Sequence, residues 1–192
     1  MSAFVYQSEG HRYLLDGVEI PSVTTVIRAA GLMPPMFGAT DWHLQRGTAV
    51  HKATALSDEN DLDETTVDPE IRGRLDAWRA FRAATPQFVI AEIERPRYHP
   101  GLRYGGTADR EGSWAGRPSI VDIKGGAPAA WHGVQLSAYA ALVGAVDRYG
   151  VYLAADGTWK VVPYTDRQDV GIFQSALACY QWRDRHGLLE RA

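Results

Sequence analysis

A short apolar segment that carries both an acid and an amine constrains this chain more than any other feature. Residues 119–124 (SIVDIK) are rich in β-branched side chains and precede two glycines, a pattern that predicts a short buried strand ending in a turn. Side chains alternate along a strand, so Asp122 and Lys124 project together, roughly 6.6 Å apart at ~3.3 Å per residue. A lone pair of this kind is usually exposed, but charge inside an apolar strand is costly, which favours a functional role. The alternation places Ile120 on the same face as the two charges and places Val121 and Ile123 on the other.

A second acid lies just upstream of this strand. Residues 104–109 (YGGTAD) predict another short strand that carries Asp109, and the thirteen positions between Asp109 and Asp122 match the length of one hairpin. Carboxylates are the ligands that Mg²⁺ prefers, and a bound divalent ion polarises a phosphoryl oxygen and acidifies a water molecule. Lys124 would orient the attacking water or offset charge on the phosphate. The two acids and the amine therefore predict a nuclease centre.

The order and spacing of these residues resemble the PD-(D/E)XK nuclease superfamily. Asp109, a spacer and Asp122-Ile123-Lys124 match its central motif, with Ala108 in place of the motif's loosely kept proline. Other segments resemble the RecB-like branch, which includes phage and mitochondrial genome maintenance exonucleases: residues 12–17 (RYLLDG), 21–26 (PSVTTV), 46–51 (RGTAVH), 106–109 (GTAD) and 135–139 (QLSAY). The resemblance covers most of the chain.

The resemblance implies a fold and an activity. The fold would be a restriction-endonuclease-like three-layer α/β/α sandwich with a central mixed β-sheet. The activity would be that of a DNA exonuclease that depends on Mg²⁺ or Mn²⁺ and serves phage-type recombination, replication or repair. Its partners would be single- or double-stranded DNA ends, and a single-strand annealing or recombination protein is compatible with this interpretation. The alternatives are a structure-selective endonuclease on the same centre and an inactive DNA-binding or partner-docking module; a complete set of buried like-charged acids disfavours the inactive module.

The resemblance also implies roles for individual residues. His51, Asp109 and Asp122 would bind metal, together with the backbone carbonyl of Ile123. Lys124 would lie at the attacking water, Gln135 and Tyr139 would contact DNA, and Arg46 and Arg110 would bind phosphate.

A third acid is expected on the strand predicted at residues 88–95. Glu92 and Glu94 share one face of that strand by period two. Relatives often place a Glu at this point, and the distance to the later glycines favours Glu94 as an additional catalytic acid. The alternative is a surface carboxylate beside Arg95 or Arg97.

Composition favours one domain over residues 1–192. The chain is 45% hydrophobic and has no Pro/Gly/Ser-rich linker. We expect residues 1–57 to form a hairpin and helices with the His motif, residues 86–163 to form the catalytic sheet core, and residues 167–186 to form a closing helix. The single cysteine, Cys179, excludes a four-cysteine iron–sulfur cluster. The absence of a long apolar run and of a signal peptide predicts a cytoplasmic protein, in the host cytoplasm if a phage encodes it.

The charge distribution is compatible with DNA although the formal net charge is −3. Residues 58–70 (DENDLDETTVDPE) hold seven of the 23 acids, so the rest of the chain has 20 bases against 16 acids. The acidic run is interpreted as a solvated loop. The arginines at positions 72, 74, 79 and 82 would face solvent or DNA, and their spacing does not decide between the two.

Local patterns predict the remaining elements. Residues 4–6 and 12–15 read as a hairpin, and 149–154 with 159–163 as another. Helices are expected at 22–31, 39–56, 69–84, 130–146 and 167–186.

Overall fold

The computed structural model describes residues 3–34 and 41–189, apart from the side chains of residues 41–44. The helices are α1 (Val23–Ala29), α2 (Asp41–Asp58), α3 (Pro69–Ala84), α4 (Ala130–Val143) and α5 (Asp169–Arg185). The strands are β1 (Phe4–Gln7), β2 (Arg12–Leu15), β3 (Val18–Ile20), β4 (Phe88–Ile93), β5 (Pro96–His99), β6 (Tyr104–Thr107), β7 (Arg110–Trp114), β8 (Arg117–Lys124), β9 (Asp147–Leu153) and β10 (Trp159–Pro163). Each predicted helix is confirmed, as are the hairpins predicted at residues 4–15 and 149–163, with ends shifted by up to three residues; positions 39 and 40 lie outside the described residues.

A five-stranded mixed sheet in the order β10-β9-β8-β7-β4 forms the centre of the fold. The central strand β8 contains the SIVDIK segment; it pairs antiparallel with β7 and parallel with β9. The parallel pairing requires a crossover, and α4 provides it. Two smaller sheets, β1-β2-β3 and β5-β6, lie outside this core.

The two faces of β8 pack against different helices, as the alternation of its side chains predicts. Ile120 belongs to one buried cluster, with residues of α1, α4 and α5 such as Val26 and Leu136. Val121 and Ile123 belong to another, with residues of α2 and α3. The sheet is thus covered by helices on both faces. This confirms the three-layer α/β/α arrangement with a central mixed sheet.

Helix α3 has the bounds and the buried face that its sequence predicts. Asp68 caps it by accepting a hydrogen bond from the Glu70 backbone N–H, and Pro69 occupies its first turn. Gly73 lets the helix approach the β9–β10 turn, because any Cβ there would collide with the carbonyl of Ala155. The residues at helical spacing are buried, namely Ile71, Leu75, Trp78 and Phe81.

The hairpin that carries the two aspartates is built differently from the prediction. Strand β6 ends at Thr107 and pairs with β5, so it does not contain Asp109. Asp109 lies in the break between β6 and β7, and β7 forms the hairpin with β8. The glycines of β6 explain why this strand is separate from β7. A Cβ at Gly106 would lie 2.8 Å from the Tyr139 ring, so β6 packs closely against α4 at this point.

None of the helices in the described ranges is both long enough and apolar enough to cross a membrane.

Candidate metal centre

Three side chains from different parts of the fold converge at the end of β8. His51 comes from α2, Glu94 follows β4, and Asp109 lies between β6 and β7; one ligand atom from each lies within 4.8 Å of the others. We call this group the ligand triad. His51 Nδ1 is 3.1 Å from Asp109 Oδ1, and Asp109 Oδ2 accepts a 2.5 Å hydrogen bond from the Ile123 backbone N–H. Two carboxylates and an imidazole are a donor set that could hold a divalent ion.

An irregular strand end brings Glu94 into the triad and leaves Glu92 outside it. The pairing of β4 with β7 shifts between Ile90 and Glu92, and Glu94 has a left-handed backbone with φ of 46°. The Glu94 N–H donates to the carbonyl of Asp109, which ties the two acids together. Glu92 instead forms an ion pair with Arg95. Alternation along a strand does not extend to both acids, because β4 ends at Ile93 and Glu94 follows it with a left-handed backbone.

Asp122 and Lys124 project from one face of β8 and form the start of a polar network. Lys124 Nζ lies 2.5 Å from Asp122 Oδ2 and donates a 2.8 Å hydrogen bond to Gln135 Oε1. Gln135 Nε2 donates to the Tyr139 hydroxyl at 3.2 Å. The ammonium also lies 5.5 Å from the centre of the Trp131 ring. We call this group the lysine network; it joins Lys124 to Asp122 and to three residues of α4 spaced four apart, Trp131, Gln135 and Tyr139. The contact of Gln135 with Lys124 is one that its sequence motif did not reveal.

Asp122 has an unusual position within this arrangement. Its Oδ2 atom is buried, and within the described residues no donor is aligned for a hydrogen bond to it, although the Lys124 charge is close. Burial raises the pKa of Asp122, and the charge of Asp109 adds to this rise against the opposing effect of Lys124. A buried acid next to a second buried acid fits a place where a cation would offset their charges.

The charges of His51 and Asp109 act on each other. Burial by itself would raise the pKa of Asp109, but His51 and Lys124 together hold it below its ordinary value. The contact between His51 and Asp109 raises the pKa of His51 to about 9, chiefly through the charge of Asp109. Without a metal ion, His51 is therefore protonated at neutral pH and itself serves as the cation beside the acid.

Arg110 is not available for phosphate, contrary to the prediction. Its side chain is fully buried; Nε donates to Asp58 Oδ2 at 2.7 Å, and another nitrogen donates to the Asp109 carbonyl at 2.7 Å. Trp78 Nε1 also donates to Asp58, which is 8% exposed. Asp58 therefore ends α2 in the core instead of opening a solvated loop. Arg110 points away from the cleft because its register partner Val121 faces the α2–α3 layer.

The other predicted residues occupy different environments. Gln135 and Tyr139 are 6% and 7% exposed, so their polar atoms face the lysine network. Ile123 has its side chain in the core and its N–H on Asp109. Arg46 is half-buried on α2, five residues before His51.

A cleft of about 800 Å³ opens beside the ligand triad. Its lining comes from the triad itself, β2, α1, α2 and β6, and includes the basic residues Arg28 and Lys52 and the hydroxyl of Thr107. Tyr13 and Thr107 share a 2.8 Å hydrogen bond across 94 positions of sequence. The motifs at residues 12–17 and 106–109 contain Tyr13 and Thr107, but they did not indicate this contact, because the two residues lie far apart along the chain.

No family model matches the chain, and no curated protein matches it significantly. Among solved structures, SSO0001 is 18% identical, with 88% of this chain and 76% of that chain covered and a TM-score of 0.45. The complex of LHK-Exo with dAMP is 12% identical over 88% and 89% of the two chains, with a TM-score of 0.49. The alkaline exonuclease LHK-Exo from Laribacter hongkongensis is 11% identical over 85% and 88%, with a TM-score of 0.48.

Proposed function

We propose that this chain is a divalent-metal-dependent DNA exonuclease of the PD-(D/E)XK superfamily. One observation carries the proposal: the ligand triad lies at the end of β8, the strand whose Asp122 and Lys124 belong to the lysine network. A group of cation ligands next to a supported amine supplies what metal-assisted phosphodiester hydrolysis uses: a polarising ion and a group that stabilises developing charge. The motifs of the sequence support assignment to the RecB-like and phage-type exonuclease branch, with a role in recombination, replication or repair.

The residues present fit a hard divalent cation. His51, Glu94 and Asp109 would hold it, with Asp122 and the carbonyl of Ile123 as further ligands. When bound, the ion would polarise a phosphoryl oxygen and lower the pKa of a water molecule. The absence of cysteine from the triad favours Mg²⁺ or Mn²⁺ over softer metals.

The side chains around Lys124 would prepare it for the reaction. Asp122 and Gln135 hold the ammonium from two directions, at 2.5 and 2.8 Å, so it is positioned before substrate arrives. From there it would donate to the attacking water or to a phosphate oxygen as charge develops. Gln135 touches no reacting atom in this scheme and acts as a positioning residue.

Digestion of end-labelled linear DNA against covalently closed circular DNA, with Mg²⁺, tests the proposal. We expect linear DNA to be shortened and closed circles of either strandedness to be spared. EDTA should abolish cleavage, and Mg²⁺ or Mn²⁺ should restore it. Efficient cutting of closed circles would replace the exonuclease with an endonuclease on the same centre, and undiminished activity in EDTA would rule out the metal-dependent mechanism.

A further inference from the structure

Arg74, on α3, lies at the same end of the sheet as Lys124. The close approach of Gly73 to Ala155 brings this part of α3 against the ends of the central strands. A Cβ at Gly125 would lie 3.7 Å from Arg74 Nε. Because Gly125 directly follows Lys124, the guanidinium of Arg74 lies beside the end of the strand that carries the lysine.

The charge environment of Arg74 differs from that of the other arginines of α3. Among the residues that the structure describes, the charge acting on Arg74 comes from another arginine, Arg46, and no acid forms an ion pair with it. The other three each have an acid partner: Arg72 and Arg79 pair with Glu64, and Arg82 lies 3.4 Å from Asp58.

Arg74 carries its charge in a partly buried position. Burial, and then the charge of Arg46, lower the pKa of Arg74. A partly buried guanidinium without an acid partner is stabilised by a bound anion. Since guanidinium groups match phosphate oxygens in a bidentate way, a nucleic-acid phosphate is the anion that this geometry suits.

We propose that Arg74 binds the DNA backbone, at a phosphate next to the one that is cut, with Arg46 beside it. This inference rests on the proposed function and adds to it a contact on α3, a helix whose arginines could face either solvent or DNA by their spacing alone. Because phosphate contacts carry no base information, the site should be indifferent to sequence. The contact would hold the backbone beside Lys124 and offset the repulsion between DNA and the acids of the triad.

Salt-dependent DNA binding by Arg74→Gln tests this contact. A short fluorescein-labelled DNA strand is titrated with each protein in Ca²⁺, between about 50 and 200 mM salt, with fluorescence anisotropy as the readout. Arg74→Gln should weaken binding roughly three- to tenfold and reduce the slope of log affinity against log salt by about 0.7 to 0.9. The matched control is Arg72→Gln on the same helix, which should leave the slope unchanged because Arg72 is paired with Glu64.

A second measurement uses the unaltered protein. DNA should protect Arg74 from modification by phenylglyoxal, read by mass spectrometry. An unchanged salt slope in a folded Arg74→Gln protein, or modification of Arg74 at the same rate with and without DNA, would overturn the inference. Failure of the proposed function is distinct, because it appears as a parent protein that binds the strand in Ca²⁺ but does not cut it in Mg²⁺.

Discussion

The buried ion pair between Asp58 and Arg110 permits a quantitative prediction. Asp58 is 8% exposed and Arg110 is fully buried, and the two are joined at 2.7 Å. Asp58→Ala would leave the guanidinium in the core with Thr54 and the Asp109 carbonyl as its remaining hydrogen-bond partners. Removing one member of such a pair costs about 3–5 kcal/mol of unfolding free energy, because the other charge stays buried without compensation.

The loss would be a large part of the total stability. The total free energy of unfolding of an ordinary domain is about 5–15 kcal/mol. The Asp58→Ala protein should therefore keep only a small part of its stability at elevated temperature. Trp78 would also lose the acceptor of its indole N–H, which adds to the cost. Arg110→Met should cost less than Asp58→Ala, because Asp58 keeps Trp78 and Arg82 as partners.

Urea unfolding followed by far-UV circular dichroism measures these differences. We expect a lower midpoint with an unchanged slope for Asp58→Ala. The double variant Asp58→Ala/Arg110→Met should be more stable than the sum of the single effects predicts, since it leaves no unpaired charge. A cost below about 1 kcal/mol for Asp58→Ala would refute the reasoning, because it would mean that water reaches the guanidinium.

Three further predictions concern the centre itself. Lys124→Ala should reduce hydrolysis at least ~10²-fold while DNA affinity stays within a few-fold. Asp109→Asn should also weaken metal binding, as measured by calorimetry. Cleavage by the Lys124→Ala protein at the parent rate would contradict the nuclease assignment. Gln135→Leu should slow cleavage roughly 10- to 100-fold with unchanged DNA affinity, because Lys124 loses an acceptor, and the opposite pattern would make Gln135 a DNA contact. The raised pKa of His51, about 9, stabilises the metal-free fold fully below its unfolded value of 6.5, and this contribution disappears as the pH rises through about 9. Urea midpoints in EDTA should therefore fall over that window, and His51→Gln should remove this part of the pH dependence.

Local patterns predicted the parts of the fold that depend on neighbouring residues. The strand of Asp122 and the helix Pro69–Ala84 have a hydrophobic period and end signals within a few positions of sequence. The grouping of His51 with Asp109 was reached only through resemblance to a family, since the two lie on separate elements. The roles of the centre's residues in binding metal and DNA stay predictions.

The features that sequence could not predict are made by distant partners or by irregular backbone. Arg110 and Asp58 are 52 positions apart, and their pairing depends on which face of β7 meets α2. Glu94 lies beyond the end of β4 with a left-handed backbone, which alternation along a strand cannot anticipate. For Arg110 and Asp58 the residue types suggested exposed charges, and the three-dimensional surroundings bury both side chains.

The parallel pairing of β8 with β9 has a consequence for the order of synthesis. While the ribosome has made the chain only as far as Lys124, β8 has β7 on one side and nothing on the other, and α4 does not yet cover the face of Asp122. The acids are then exposed to water and the lysine has no glutamine to hold it. We therefore expect a truncated nascent chain to lack the proposed nuclease activity, which would arise only when the crossover helix and β9 have docked. Because pairing across such a crossover closes a long loop, that docking should be among the slower steps of folding.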